Sequence, residues 1–167
     1  MINTNKIIYR PIGVIHSSFR DQEGMPIQSA GAQGIPGWIE INDDYTEGLR
    51  SLEGFSHIIL LYHFHLSTGY DLELTPFLDN ATRGLFATRA PRRPNPIGLS
   101  VVRLVGIEEK IIRIENIDVV DGTPLLDIKP YVPAFDAIAD ATSGWVQGKE
   151  ERVRDIRADD RFSKENR

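Results

Sequence analysis

The chain has 167 residues, 41% of them hydrophobic and 26% charged, with a formal net charge of -5 and no cysteine. That length gives one well-buried core and falls short of the usual two-domain size, and the composition is that of a folded chain rather than a disordered one. The missing cysteines exclude disulfides, thiolate zinc sites and cysteine nucleophiles, the negative charge excludes a surface coated for nucleic acid, and no run is long enough to span a bilayer, so a cytoplasmic protein without a membrane partner is expected.

In chain order, Lys6 to Ile15 reads as a strand that Pro11 and Gly13 confine to an edge or a bulge. Asp21 to Gly37 holds four glycines and two prolines with little periodicity. It reads as a long loop, either functional or a mobile excursion. Trp38 to Ile41 alternates like a half-buried strand, and Asn42 or Asp43 is placed to cap a short helix through Tyr45, Leu49 and Leu52 that Gly54 ends. His57 to Leu66 is rich in strand formers and has no breaker, which predicts a central strand with His57, His63 and His65 on one face. A His-x-His pair on a strand is one way to build a metal site. A metal-dependent hydrolase using His63 and His65, with a further ligand from an Asp or Glu elsewhere, is therefore a rival reading; hydrogen-bonded core or pocket imidazoles are the other, and no metal is assigned.

Ser67 to Ala81 is a second polar excursion, after which Arg83 to Thr88 resumes strand character. The next run, Arg89-Ala90-Pro91-Arg92-Arg93-Pro94-Asn95-Pro96-Ile97-Gly98, has three prolines in six positions. They fix φ and push Ala90, Arg93 and Asn95 toward extended backbone, so the loop is stiff. Its arginines are either held to meet carboxylate or phosphate bidentately or are solvated on a proline-stabilised connection. Gly98 lets a ligand or another backbone approach closely. Leu99 to Ile107 and Ile111 to Ile117 flank Glu108-Glu109-Lys110 as a hairpin, Asp121-Gly122 sits in a tight turn, and Leu125 to Lys129 is a short strand stopped by Pro130. From Ser143 the chain turns polar, and Arg152 to Arg161 reads as a peripheral helix or a loosely held tail. Many short strands with long loops and one or two short helices predict an all-β, barrel-like domain rather than a doubly wound α/β fold. No Gly-x-Gly-x-x-Gly, Walker loop or Gly-x-Ser-x-Gly elbow is present.

Gly84 to Arg89 followed by Arg93 to Ser100, then Asp118 to Pro124 and Asp127 to Tyr131, resembles the TrmO or TsaA-like family of tRNA adenine N6-methyltransferases. Ile12 to Ile15, Leu52 to His57 and Phe64-His65 are similar as well, so the resemblance runs from about Tyr9 to Asp136. It implies a small β-barrel, S-adenosylmethionine as cofactor, a homodimer with the cofactor near the subunit interface, and N6-methylation of threonylcarbamoyladenosine beside the tRNA anticodon. Carried over residue by residue, the cofactor contacts fall at Pro26, Ile27, Gln28, His65, Leu66, Arg89, Leu99, Val120, Asp121, Gly122 and Thr123. Ile27 stands where the family pattern has an arginine. Arg89 is assigned to the cofactor's carboxylate, Arg92, Arg93 and Asn95 to RNA phosphate or the substrate's threonyl carboxylate. Asp121 and His65 are the candidates for the base. Larger members continue into a C-terminal domain, so a barrel domain over 1-145 and a charged tail or peripheral helix over 146-167 are expected, with that extra domain absent. A cofactor-binding module without RNA activity is the remaining alternative.

Overall fold

Six strands with inward rows of isoleucine, leucine and valine close into a barrel in the computed structural model, which describes residues 6–162. They are β1 (Gly13–His16), β2 (Pro36–Ile41), β3 (His57–His63), β6 (Ile97–Glu108), β7 (Ile111–Glu115) and β8 (Thr123–Pro130), in the order β1-β2-β7-β6-β3-β8 with β8 pairing back onto β1. Two short strands, β4 (Glu73–Leu74) and β5 (Arg83–Gly84), pair outside the barrel. Every pairing is antiparallel. The side-chain period of a strand is two, and β3 shows it directly: Ile58, Leu60 and Tyr62 are buried and the residues between them are not. With Ile15, Ile39, Ile41, Val102, Ile112, Ile114, Ile117 and Leu125 they form the core, each large side chain stabilising the fold by roughly 1.5 to 3 kcal/mol on burial.

β6 serves two neighbours. Its first part pairs with β3 and its last part with β7, and the register shifts between Leu104 and Gly106, where an extra residue bends the strand from one partner to the other. The barrel-like all-β prediction is met, as are the hairpin of β6 and β7, the Trp38 to Ile41 strand and the Asp121-Gly122 turn, where Gly122 has φ +79°.

Several local expectations are corrected. The first strand begins only at Gly13: Pro11 has no N–H to give a ladder, and Ile7, Ile8 and Tyr9 are exposed. The helix expected after Asn42 is a pair of 3-10 turns, Asp43–Leu49 and Leu52–Gly54, separated by Ser51 at φ +67°. Asn42 does not cap it; its side-chain amide donates to the Pro11 carbonyl instead. β3 ends at His63, so the period that would set His65 beside His57 and His63 does not reach His65. Strand character after Arg83 lasts only through Gly84, and Leu85–Ala87 is a 3-10 turn. The α-helix is one turn, Pro133–Asp136, with the Asp136 carboxylate accepting the Val132 N–H. The C-terminal stretch forms 3-10 turns at Gly144–Val146, Glu150–Arg154 and Asp160–Phe162, with Val153 and Phe162 buried. The remainder of that expected tail, 163–167, lies outside the described residues. Among the described residues no helix is long and apolar enough to cross a membrane.

Candidate active site

The strand order brings three long connections, 17–35, 64–96 and 116–122, to the same end of the barrel, because they follow β1, β3 and β7, which all run that way. Together with the C-terminal turns they enclose a cavity of about 900 Å³, within the size range of small-molecule sites.

Each connection is tied down by its own residues. Phe64 N–H donates to the Pro96 carbonyl and the Ser67 hydroxyl to the Pro91 carbonyl, docking the 64–96 excursion on its own start. Arg92, with a side chain only 12% exposed, donates through Nε to Asp71 at 2.7 Å and through Nη1 to the Thr68 carbonyl. Arg93 Nη1 donates to the Thr88 and Ala90 carbonyls at 2.9 and 3.1 Å, and its guanidinium lies over the Phe86 ring. These two arginines therefore hold the loop in shape. Arg89 differs: it is exposed, and its Nη1 donates to Gln28 Oε1 at 2.7 Å, joining the arginine-proline loop to the first long loop. A guanidinium has further N–H groups for a carboxylate. Gly98 is needed for a reason other than ligand approach, since any Cβ there would collide with the Tyr62 ring opposite it on β3.

The cavity gathers Pro26, Ile27, Gln28, His65, Leu66, Arg89, Leu99, Val120 and Thr123 from the residues singled out for the cofactor, and Arg93 from those singled out for the substrate. Asp121, Gly122, Arg92 and Asn95 are not among its lining residues. Asp121 faces a different cluster: its carboxylate accepts the Ser17 N–H, pairs with His16 Nδ1 at 3.1 Å and accepts Arg20 Nη1 at 2.7 Å. Burial pushes that carboxyl up, but the Ser17, His16 and Arg20 contacts outweigh it and hold it below the usual carboxylate range. The Asp121 and Gly122 N–H groups are bonded to the Phe19 and Ile15 carbonyls, which removes them as donors to a ligand. Asn95 is exposed, its carbonyl accepting the Ile97 N–H.

His65 Nδ1 lies 3.2 Å from Thr123 Oγ1, which itself donates to the Val120 carbonyl at 2.7 Å. The threonine proton is thus used, so Nδ1 carries the proton toward Thr123 and Nε2 keeps its lone pair. Partial burial, then the neighbouring His63, hold the imidazole below its ordinary value. Among the described residues no three His, Cys, Asp or Glu gather as a metal site, so the arrangement required by a hydrolase on His63 and His65 is not formed.

Sequence reasoning missed the polar wall of the cavity. Tyr62 Oη lies 3.0 Å from Ser100 Oγ, and Ser100 Oγ donates to Asp118 Oδ1 at 2.6 Å, which leaves Tyr62 as the donor to the serine. Burial raises the Tyr62 hydroxyl well above its ordinary value, reinforced by Asp118. Burial likewise pushes Asp118 up to about 6, against the Ser100 hydrogen bond and the Arg89 charge that favour its ionised form. Tyr62 was legible as the polar-tipped member of the inward row Ile58, Leu60, Tyr62; Ser100 meets it only through the pairing of β3 with β6, and Asp118 reaches Ser100 from the connection after β7.

Residues 14–137 match the family described as tRNA-methyltransferase O N-terminal domain. The chain belongs to the TrmO family. Among TrmO relatives, a Pyrococcus abyssi protein named a probable S-adenosyl-L-methionine-binding protein is 49% identical over 93% of this chain and 85% of its own length. The tRNA (adenine(37)-N6)-methyltransferase of Escherichia coli is 35% identical over 83% of this chain. The crystal structure of TrmO from Pseudomonas aeruginosa superposes with a TM-score of 0.71 at 42% identity over 84% of this chain, which agrees with the all-β barrel. The chain spans 63% of the length of each of these last two TrmO proteins.

Proposed function

We propose that the protein is an S-adenosylmethionine-dependent methyltransferase that modifies N6 of adenosine 37 in tRNA, with the threonylcarbamoyl form of that nucleoside as substrate. The observation that carries the reading is the convergence of Pro26, Ile27, Gln28, His65, Leu66, Arg89, Leu99, Val120 and Thr123 on one cavity in a chain of this family. The residues fit the cofactor: Arg89 and Gln28 offer a polar end for its amino-acid group, Ile27, Leu66, Leu78 and Phe86 an apolar wall for its adenosine. When bound, that cofactor supplies a methyl group on a sulfonium. The chain's own contribution is to hold the acceptor nitrogen at attack distance, an effect worth roughly 7 kcal/mol or more in well-oriented systems. Arg93, on the cavity wall, is the better placed of the basic-loop residues to meet the substrate's carboxylate or a phosphate.

The protein acts in the cytoplasm as a homodimer on this reading. Leu66, Phe86, Ile97 and Leu99 form a rim beside the cavity at 48%, 78%, 40% and 45% exposure, an apolar surface that a second copy would cover. A second reading is a cofactor-binding protein without RNA activity, since relatives of Pyrococcus abyssi and Archaeoglobus fulgidus at 49% and 38% identity are named for S-adenosyl-L-methionine binding alone. Calorimetric titration with S-adenosylmethionine and transfer of a labelled methyl group to bulk tRNA separate the two. Binding with transfer to adenosine 37 is expected; binding without transfer selects the second reading, and no binding overturns both.

A further inference from the structure

The long connections meet around the carboxyl group of Asp118, a proton acceptor separate from the His65 imidazole and the Asp121 carboxylate. Asp118 lines the cavity, its Oδ1 accepting the Ser100 hydroxyl at 2.6 Å and that hydroxyl in turn accepting Tyr62. Arg89 from the arginine-proline loop and the Ser29 N–H from the first loop also face it, and His65, Arg93 and Glu150 line the same cavity. Of the two carboxylates on that lining among the described residues, Glu150 sits on an outer turn, where backbone N–H groups, its own first, and the Ser143 hydroxyl hold it below the usual range. Asp118 is the carboxylate inside.

Resting on the methyltransferase reading above, we propose that Asp118 is the catalytic base, taking the proton that the substrate's amino nitrogen gives up on methylation. The nitrogen lone pair forms the new N–C bond as the bond from the methyl carbon to sulfur breaks, and that electron pair stays on sulfur as a neutral thioether. The nitrogen, left positively charged, releases its proton to a carboxylate oxygen of Asp118, and the resulting carboxylic acid returns the proton to solvent through the open side of the cavity. Ser100 and Tyr62 are positioning residues. They fix the carboxyl's orientation by a relay with a single direction, Tyr62 to Ser100 to Asp118. A base whose affinity for protons lies near the working pH is the most effective one, and burial gives Asp118 that property where the three donors on Asp121 deny it.

The test compares Asp118→Asn and Ser100→Ala with the wild-type chain in methyl transfer to tRNA, in S-adenosylmethionine titration, and in a carboxyl NMR titration of the cofactor-free protein. Asp118→Asn is expected to lower kcat by roughly 100-fold or more while cofactor affinity stays within about threefold. Wild-type kcat is expected to rise with pH up to about 6 and then level, and the variant's profile to lose that inflection. Ser100→Ala removes a bond that favours the ionised form, so both the inflection and the NMR titration should move to higher pH. Full activity in Asp118→Asn, or an inflection that Ser100→Ala leaves in place, overturns the proposal and passes the role to His65 Nε2. Loss of cofactor binding in Asp118→Asn makes Asp118 a cofactor ligand and also overturns it. Cofactor binding by the wild type without any methyl transfer would instead bring down the methyltransferase reading itself, and this proposal with it.

Discussion

Arg89 and Arg92 stand three residues apart in one loop and do opposite things, because one is paired internally and the other is exposed at the cavity. Arg89→Ala should weaken S-adenosylmethionine binding by about 2 kcal/mol, the loss expected when a charge-assisted bond to a desolvated carboxylate is removed; unchanged affinity in calorimetry would take Arg89 out of the site. Asp118 makes a second residue-scale prediction. Its folded-state value of about 6 lies above the ordinary 3.8, so the folded state binds the proton more tightly than the unfolded one. That contribution is fully present below pH 3.8 and is lost as pH rises through about 6. Asp118→Asn, which cannot ionise, should therefore gain stability over wild type on going from pH 4 to pH 8, by about 3 kcal/mol at most. Chemical denaturation of both proteins across that range checks it, and parallel curves would show that folding does not raise the Asp118 value.

At the scale of elements, the C-terminal turns act as a strap. Ala158 exchanges backbone hydrogen bonds with Gly24 and Met25, Arg157 bridges Pro26, and the Val153 carbonyl sits where a Cβ on Gly31 would be. Farther on, Phe162 packs with Leu74, Leu85, Ala90 and Phe77, which ties the small β4-β5 sheet to the same strap. Phe162→Ala should cost about 3 kcal/mol by the cavity it leaves, and it should weaken cofactor binding as well, because Phe162 lines the site. Urea denaturation and cofactor titration read the two effects, and a stability loss without a change in affinity would limit the strap to folding. The pairing of β3 with β6 is equally sensitive at one position. Gly98→Ala drives a methyl group into the Tyr62 ring, so a loss of about 1 to 3 kcal/mol is expected, with the Tyr62 to Asp118 relay displaced.

For the whole molecule, the apolar rim beside the cavity sets the prediction. Ile97→Asp places a charge among Leu66, Phe86 and Leu99, so light scattering should show a wild-type dimer and a monomeric variant; a wild-type monomer would discard the homodimer. Charge at this scale is negative, and Arg92 and Arg93 are engaged with their own loop, so fewer of their donors are open to an outside phosphate than the arginine content of the loop suggests. Arg93→Ala should reduce the slope of log tRNA affinity against log salt by roughly 0.7 to 0.9 if its guanidinium meets a phosphate, and an unchanged slope would leave the carboxylate of the substrate as its partner.

The amino-acid sequence by itself determined the strand-rich class, the β6-β7 hairpin, the Asp121-Gly122 turn and the stiffness of the arginine-proline loop, since all of these follow from local sterics and a period of two. The family resemblance carried by its motifs also led to nine residues of the cavity wall, between Pro26 and Thr123. Tertiary structure decided the rest. Whether Asp118 or Asp121 faces the cavity is decided by the course of the chain between β7 and β8, and Arg92 is removed from ligand contact by Asp71, a residue 21 positions away. After Asn42 the chain forms two 3-10 turns broken at Ser51, with the Asn42 amide held to the Pro11 carbonyl, and the charged C-terminal stretch becomes a strap because Phe162 finds an apolar pocket. Each outcome is a competition between a local preference and a partner distant in the chain, and such a partner appears only once the barrel has closed.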